Sequence, residues 1–442
     1  MSEPTQPTTL PPTGPTDQRL WPIATVMATG IFATTFVQIQ GLGYLPINHL
    51  LEKMGLDSNQ AASFFMWTTL PWTLKGFAGL LVDGLPIFGS RRKLYLLVSA
   101  FTGSLLWLVM SLYPNNYSLL LASSVLMSLA LVLGGTASGG LLVEAGHRFG
   151  ATGRLSSVRV FAQNMGAALG GWLGGLIADK MVGQSLGWTS AAALPPLICL
   201  FLFALLLLKE KPVTGQSRPK DFLLSIQRQL KNTLRWSLLP PALVIFFIQV
   251  VPTFRSSSFY QYQTKVLHYN DSQLGWLSLL GYGGALLSSG VYAWWCRRVS
   301  LRNSLFAGVG VIALSALPYL NYPSDMPHAI AVEVIGTFLL YLGYLPFFDL
   351  AVRSTPKGSE ALGYSLMLSS WNLGLMLGIK TGPKLYEGVL HQNMNQLVWI
   401  NALVTLAGAA LILILPASLV GGKEGKHIPQ EETPLARSGL AE

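Results

Sequence analysis

Apolar runs of about twenty residues recur along the whole chain, separated by short polar breaks. A run of that length matches a helix crossing ~30 Å of hydrocarbon at a rise of ~1.5 Å per residue. Setting runs against breaks predicts helices over 22–45, 60–82, 94–113, 117–143, 155–178 and 188–208. A second set is predicted over 238–266, 273–296, 302–320, 327–352, 360–389 and 395–419. Breaks such as Tyr113-Pro114-Asn115-Asn116 and Asn321-Tyr322-Pro323 are rich in turn formers. Twelve spans put both termini on one side of the membrane.

Composition agrees. Hydrophobic residues make up 51% and charged residues 11% of 442 positions, with mean hydropathy +0.47, whereas a soluble domain carries roughly 25% charge. The 45 glycines suit membrane helices, whose backbones approach closely where side chains are small. Cys199 and Cys296 both fall in or beside apolar runs and supply no disulfide or metal framework. The chain has no Gly-x-x-x-x-Gly-Lys-Ser/Thr phosphate loop, no His-Glu-x-x-His and no Gly-x-Ser-x-Gly. No enzyme, catalytic residue, metal or cofactor is expected.

Of the 29 lysines and arginines, 22 fall in the segments on the side of the termini and five on the other, with Lys75 and Arg255 inside helices. The positive-inside rule then places both termini in the cytoplasm. The same excess accounts for the net charge of +10. It points to anionic lipid headgroups as partners of the loops, and not to nucleic acid. Residues 1–20 and 420–442 are expected to be disordered cytoplasmic tails, the first rich in Pro and Thr and unlike a signal or transit peptide. Residues 21–208 and 238–419 form two six-helix halves. A cytoplasmic linker, 209–237, joins them and includes an amphipathic stretch at Asp221–Leu234.

The halves share a repeat. Asn164-Met165-Gly166 through Gly170 matches Asn372-Leu373-Gly374 through Gly378 at an offset of 208, and Gly150 and Gly358 share it. Two related halves about an axis normal to the membrane, with a cavity between them, are what the major facilitator architecture requires. The all-α fold class expected is therefore twelve transmembrane helices in that arrangement.

Lys75 lies within an apolar run, eight residues before Asp83, or ~12 Å along a helix. An ionisable group at that depth is costly unless it faces protein, water or a counter-charge. It is read either as a contact for substrate or coupling ion or as half of a buried pair. Gly79 to Asp83, then Gly89, Arg91 and Arg92, resembles the Gly-x-x-x-Asp … Gly-x-Arg-Arg signature of major facilitator transporters. In that reading Asp83, Arg91 and Arg92 latch the halves on the cytoplasmic side, with Glu144 and Arg159 in the same gating network; topology alone is the alternative role for Arg91 to Lys93.

Leu70-Pro71-Trp72-Thr73-Leu74-Lys75 and Asp83 through Tyr95 resemble a pattern of the folate-biopterin transporters. So do Val251-Pro252-Thr253 through Tyr262 and Thr355-Pro356 through Ala361. The likeness departs at Gly76-Phe77-Ala78 and at Arg255, where the family pattern has a small residue. It implies a secondary transporter of a folate, pterin or similar organic anion working by alternating access as a monomer, with symport as an added family expectation. A flat heteroaromatic with carboxylates calls for aromatic faces, amide edges and a cation. The substrate-binding candidates are Lys75, Arg255, Phe259, Tyr260, Gln163, Asn164, Trp371 and Asn372. For any one aromatic, ordinary packing is the competing role, and for the two asparagines an interhelical hydrogen bond. Glu333 and Asp349 are the carboxylates for proton coupling, or else structural counter-ions of Arg255 or Lys75. Other readings are a transporter of another amphipathic metabolite and a receptor or scaffold that does not transport. The short N-terminus suggests a bacterial or cyanobacterial inner membrane. A reporter fused to the C-terminus is expected on the cytoplasmic side; its appearance outside the cell would overturn this topology.

Overall fold

The computed structural model describes residues 20–56, 58–181, 184–210, 227, 238–269 and 271–424. The expected tails and most of the linker, including the stretch 221–234 apart from residue 227, lie outside them.

The first half runs α1 (Leu20–Phe36), α2 (Tyr44–Lys53), α3 (Ser58–Thr73), α4 (Lys75–Gly84), α5 (Lys93–Leu112), α6 (Tyr117–Phe149), α7 (Thr152–Lys180) and α8 (Ser185–Leu207). The second runs α9 (Leu239–Gln261), α10 (Asp271–Trp295), α11 (Leu301–Leu314), α12 (Met326–Ser354), α13 (Glu360–Lys384), α14 (Met394–Ala407) and α15 (Ala417–Val420). Single π-turns extend α9 and α13, and 3₁₀ turns follow α11 and α14.

Among the described residues, nine helical segments are long and apolar enough to span a membrane. The three expected spans outside that set have physical reasons. The first bends after Phe36, so α1 has 17 residues and α2 is a separate amphipathic piece. The fifth, α7, carries Arg154, Arg159, Gln163 and Asn164 among its glycines. The second is cut at Leu74. Pro71 lies inside α3, and the ladder ends two residues after it, at Thr73. The chain tightens through Leu74 N–H to Pro71 O (3.2 Å) and Phe77 N–H to Leu74 O (2.9 Å), and α4 restarts at Lys75.

The two halves repeat one packing scheme. In the first, α7 lies on α1 and α5 lies on α6 and α8; in the second, α13 lies on α9 and α11 lies on α12 and α14. The glycine repeat brings backbones together in two of these contacts. A Cβ on Gly166 would stand 2.8 Å from Phe32 O, and one on Gly170 2.8 Å from Phe36 O. Their counterparts behave alike, with Gly374 2.6 Å from Phe246 O and Gly378 2.8 Å from Val250 O. Gly150 and Gly358 both hold positive φ, +56° and +83°, in the turns that lead into α7 and α13.

Between the halves, α4 packs on α13 and α7 on α10, a pair of contacts related by the same exchange of halves. One buried apolar cluster draws on both halves, including Val82, Tyr95 and Leu142 with Cys296, Phe348 and Tyr364. A second belongs to the first half alone, around Ile39 and Trp107, and a third to the second half alone, around Phe259 and Tyr319. The core is thus shared at the end that carries Arg91–Lys93, Arg154 and Arg353, here called the basic face. It divides toward the opposite face, where each half has a buried cluster of its own.

Gly170 and its neighbour make a controlled pair, because a Cβ on Gly171 meets nothing within 4 Å. Gly170→Ala is expected to lower thermal stability of the purified protein by ~1–3 kcal/mol. Gly171→Ala should be neutral or stabilising by up to ~1 kcal/mol through helix propensity.

Candidate functional site

At the basic face, α4 ends against the start of α13. Gly79 permits the approach, since its Cβ would stand 2.7 Å from Leu362 Cα. Asp83 Oδ2 accepts the Leu362 backbone N–H (2.8 Å), so a carboxylate from the first half meets a helix N-terminus of the second. Asp83 Oδ1 also pairs with Arg92 Nη1 at 2.7 Å, and both side chains are 3% exposed, which removes this pair from the weak surface class. Arg92 reaches Glu360 at 3.7 Å, and the Glu144 charge acts on it as well. Gly140 lies against the guanidinium, where a Cβ would come within 2.6 Å of Cζ.

The neighbouring Arg91, whose charge acts on Glu144, also has a backbone role. The Arg91 backbone N–H, with those of Arg92 and Lys93, donates to the Glu210 carboxylate (3.0–3.1 Å), which also accepts from Ser90 Oγ at 2.6 Å. Glu210 therefore satisfies the open donors at the α5 N-terminus and fixes the exit from α8. No motif marked it, because a lone Glu in a basic linker looks like a solvated charge.

Deeper in, two cations approach each other. Lys75 is the first residue of α4, 9% exposed, with its ammonium 5.8 Å from the Trp72 ring. Arg159, expected in the gating network, lies instead about two turns into α7, close enough for its charge to act on Lys75. Its guanidinium sits over Phe348 at 4.4 Å and near Tyr364 at 5.8 Å, and Nη1 is buried without a hydrogen-bond partner. Among the described residues, neither cation forms an ion pair with a carboxylate. Phe348 continues into an aromatic wall: Trp371 lies 4.7 Å from both Phe348 and Tyr344, and Tyr344 lies 6.0 Å from Tyr341. Gln163 and Asn372 are half-buried. Asn164 is buried, and its Nδ2 has no partner among the described residues. Gln40 is spent on Thr68 and Thr69 of α3 (3.1 and 2.6 Å). Tyr341, Tyr344, Phe348 and Tyr364 escaped the sequence reading because one aromatic among many carries no mark of its surroundings.

Arg255 belongs to a separate group nearer the opposite face. It stacks on Tyr319 at 3.7 Å and is 4% exposed. Tyr319 donates to Glu333 Oε2 (2.8 Å), Tyr322 donates to Oε1 (3.1 Å), and Gln263 stands 3.5 Å from the same oxygen. Phe259 packs edge-on against both tyrosines at 5.1 and 4.8 Å. Glu333 thus feels the Arg255 charge through Tyr319, without a direct ion pair. The Tyr260 side chain lies outside the described residues. Asp349 is a counter-ion of neither expected cation: Arg353, one turn on, holds it with two bonds of 3.0 Å, and Tyr292 donates at 3.3 Å.

Two pseudo-symmetric six-helix halves that meet at the basic face define a multi-pass membrane protein with the major facilitator fold. Solved structures carry the same fold. The proton:xylose symporter XylE bound to 6-bromo-6-deoxy-D-glucose superposes with a TM-score of 0.61 at 14% identity, over 90% of this chain and 96% of that one. The human organic anion transporter MFSD10 (TETRAN) gives 0.64 at 14% identity, over 90% of this chain and all of that one. The model of the BT1 family matches residues 40–432, and the chain belongs to that family. It is 26% identical over 409 residues to the folate-biopterin transporter of Synechocystis sp., covering 88% of this chain and 81% of that protein.

The Asp83–Arg92 pair has a measurable weight. Asp83→Ala strands a buried guanidinium and should destabilise the protein by ~3–5 kcal/mol. The double variant Asp83→Leu, Arg92→Leu should lose less than Asp83→Ala alone; thermal unfolding in detergent compares the two.

Proposed function

We propose that the chain carries a folate-like anion, a flat heteroaromatic with two negative charges, by alternating access. The observation that carries this reading is the pair of buried cations, Lys75 and Arg159, with no carboxylate of their own and an aromatic wall beside them. Low dielectric makes such charges expensive alone and strongly attractive to an anion. The break at Leu74 adds to this: a half-helix N-terminus, positive by its dipole, begins at the Lys75 position. Trp371, Tyr344 and Phe348 offer faces to a pteridine ring, and Gln163, Asn164 and Asn372 offer amide groups for its edge. The named relative supports the folate and pterin class.

In this proposal Arg159 is a substrate contact, while Asp83, Arg92 and Glu144 gate the basic face. Arg255 and Phe259 support Glu333, which serves as the proton carrier. Glu333 is held by two phenols and no ion pair, while Asp349 is locked on Arg353. The basic face and both termini are cytoplasmic, in a bacterial or cyanobacterial inner membrane, as the charge asymmetry of the loops supports.

Proteoliposomes should take up labelled folate saturably, and an uncharged unconjugated pterin should compete at least about tenfold more weakly, since a buried charge pair contributes ~2–5 kcal/mol. Lys75→Ala and Arg159→Ala should each reduce folate uptake about thirtyfold or more by the same measure, with folded protein retained on size exclusion. Absence of saturable uptake, or uptake unchanged in both variants, would sink the reading.

A further inference from the structure

Beyond α15 the chain does not leave the basic face at once. Gly422 O accepts from Leu301 N–H at the start of α11 (3.3 Å) and from Arg353 Nη1 (2.9 Å). Glu424 N–H then donates to Cys296 O at the end of α10 (3.4 Å). These contacts all fasten the segment to the second half.

The Glu424 side chain does the opposite and crosses to the first half. Its Oε1 accepts the Arg154 backbone N–H (3.0 Å) in the first turn of α7, and Oε2 pairs with Arg154 Nε at 3.4 Å. Oε2 also accepts from Cys296 Sγ (3.0 Å). The carboxylate therefore sits at a helix N-terminus, where its charge is favoured, and is 1% exposed, so solvent does not screen it. Beside it, Arg353 Nε donates to Thr152 Oγ1 (3.2 Å), and Gly153 leaves room for Cys296, whose Cβ would be 2.7 Å from a Cβ there. Opening the basic face must draw α7 away from α10. That motion breaks both Glu424 contacts to Arg154 and leaves the strap on its own half.

The geometry points to Glu424 as a second latch of the basic face: a positioning residue, reached from the chain beyond the last helix, that stabilises the closed-basic-face state through Arg154. It acts on the α7–α10 contact, as the Asp83–Arg92 pair acts on the α4–α13 contact, so each of the two symmetry-related contacts between the halves has its own carboxylate. The assignment goes beyond the substrate reading and does not depend on it.

The test is a distance measurement on the full chain without substrate. Spin labels at Phe88→Cys and Lys357→Cys, both exposed and one on each half, report on the basic face. The background is Cys199→Ser and Cys296→Ser, the second serine keeping a donor toward Glu424. Glu424→Ala and Glu424→Gln should raise the ratio of long to short distances, about tenfold for Ala, as expected for a lost hydrogen bond to a charged group. Arg154→Ala should shift it in the same direction, and the double variant Glu424→Ala, Arg154→Ala should shift it no further than Glu424→Ala alone. A distribution unchanged in Glu424→Gln overturns the proposal, whatever happens to thermal stability. So does full additivity in the double variant. If Glu424→Ala does not accumulate as folded protein, Glu424→Gln, which keeps the shape and removes the charge, decides alone.

Discussion

A lysine and an arginine buried within reach of each other's field, without a counter-ion among the described residues, set the terms for the rest of this molecule. Charge in a low-dielectric interior has to be neutralised or hydrated. Four carboxylates are engaged elsewhere: Asp83 by Arg92 and the α13 N-terminus, Asp349 by Arg353, Glu333 by two tyrosines and Glu424 by Arg154. Lys75 and Arg159 are thus separated from those carboxylates and pair with none among the described residues. In the proposed reading, that separation favours an anion at the two cations before any detail of shape is considered.

Holding the separation requires close backbone contact, and glycine supplies it. Gly79 lets α4 reach α13, Gly153 lets α7 reach α10, and the repeated glycines fix α7 on α1 and α13 on α9. In lipid no hydrophobic drive pulls helices together, so packing and hydrogen bonding decide which pairs form. The shared apolar cluster then seals one face, while the other two clusters stay within their own halves.

The fold was readable from apolar run lengths, and the halves from a repeat whose glycines turn out to make equivalent contacts. Gly150 and Gly358 are the clearest case, since a shared offset became a shared left-handed turn. The site was readable only in part. Lys75 announced itself because a cation in an apolar run has few innocent explanations. Arg159 stood near other loop charges in the sequence and was grouped with them. Helical rise carries it about two turns away from its neighbours, which no charge count can show. Arg255 had the reverse history: its chemistry fits a carboxylate, but stacking on Tyr319 commits its face. Glu424 sits in a tail of weak pattern, and only its contacts reveal it.

The cut at Leu74 has a mechanical meaning. It frees α4 from α3 as a rod of 10 residues. One end of this rod bears the buried Lys75 ammonium and the other bears the Asp83 carboxylate that meets α13 of the second half, ~12 Å apart at helical rise. In the proposed function that strut is a lever, with the substrate contact at one tip and the closure at the other. In the proposed reading, an anion drawn to Lys75 acts on the same short rod that carries Asp83, with no relay of side chains between them.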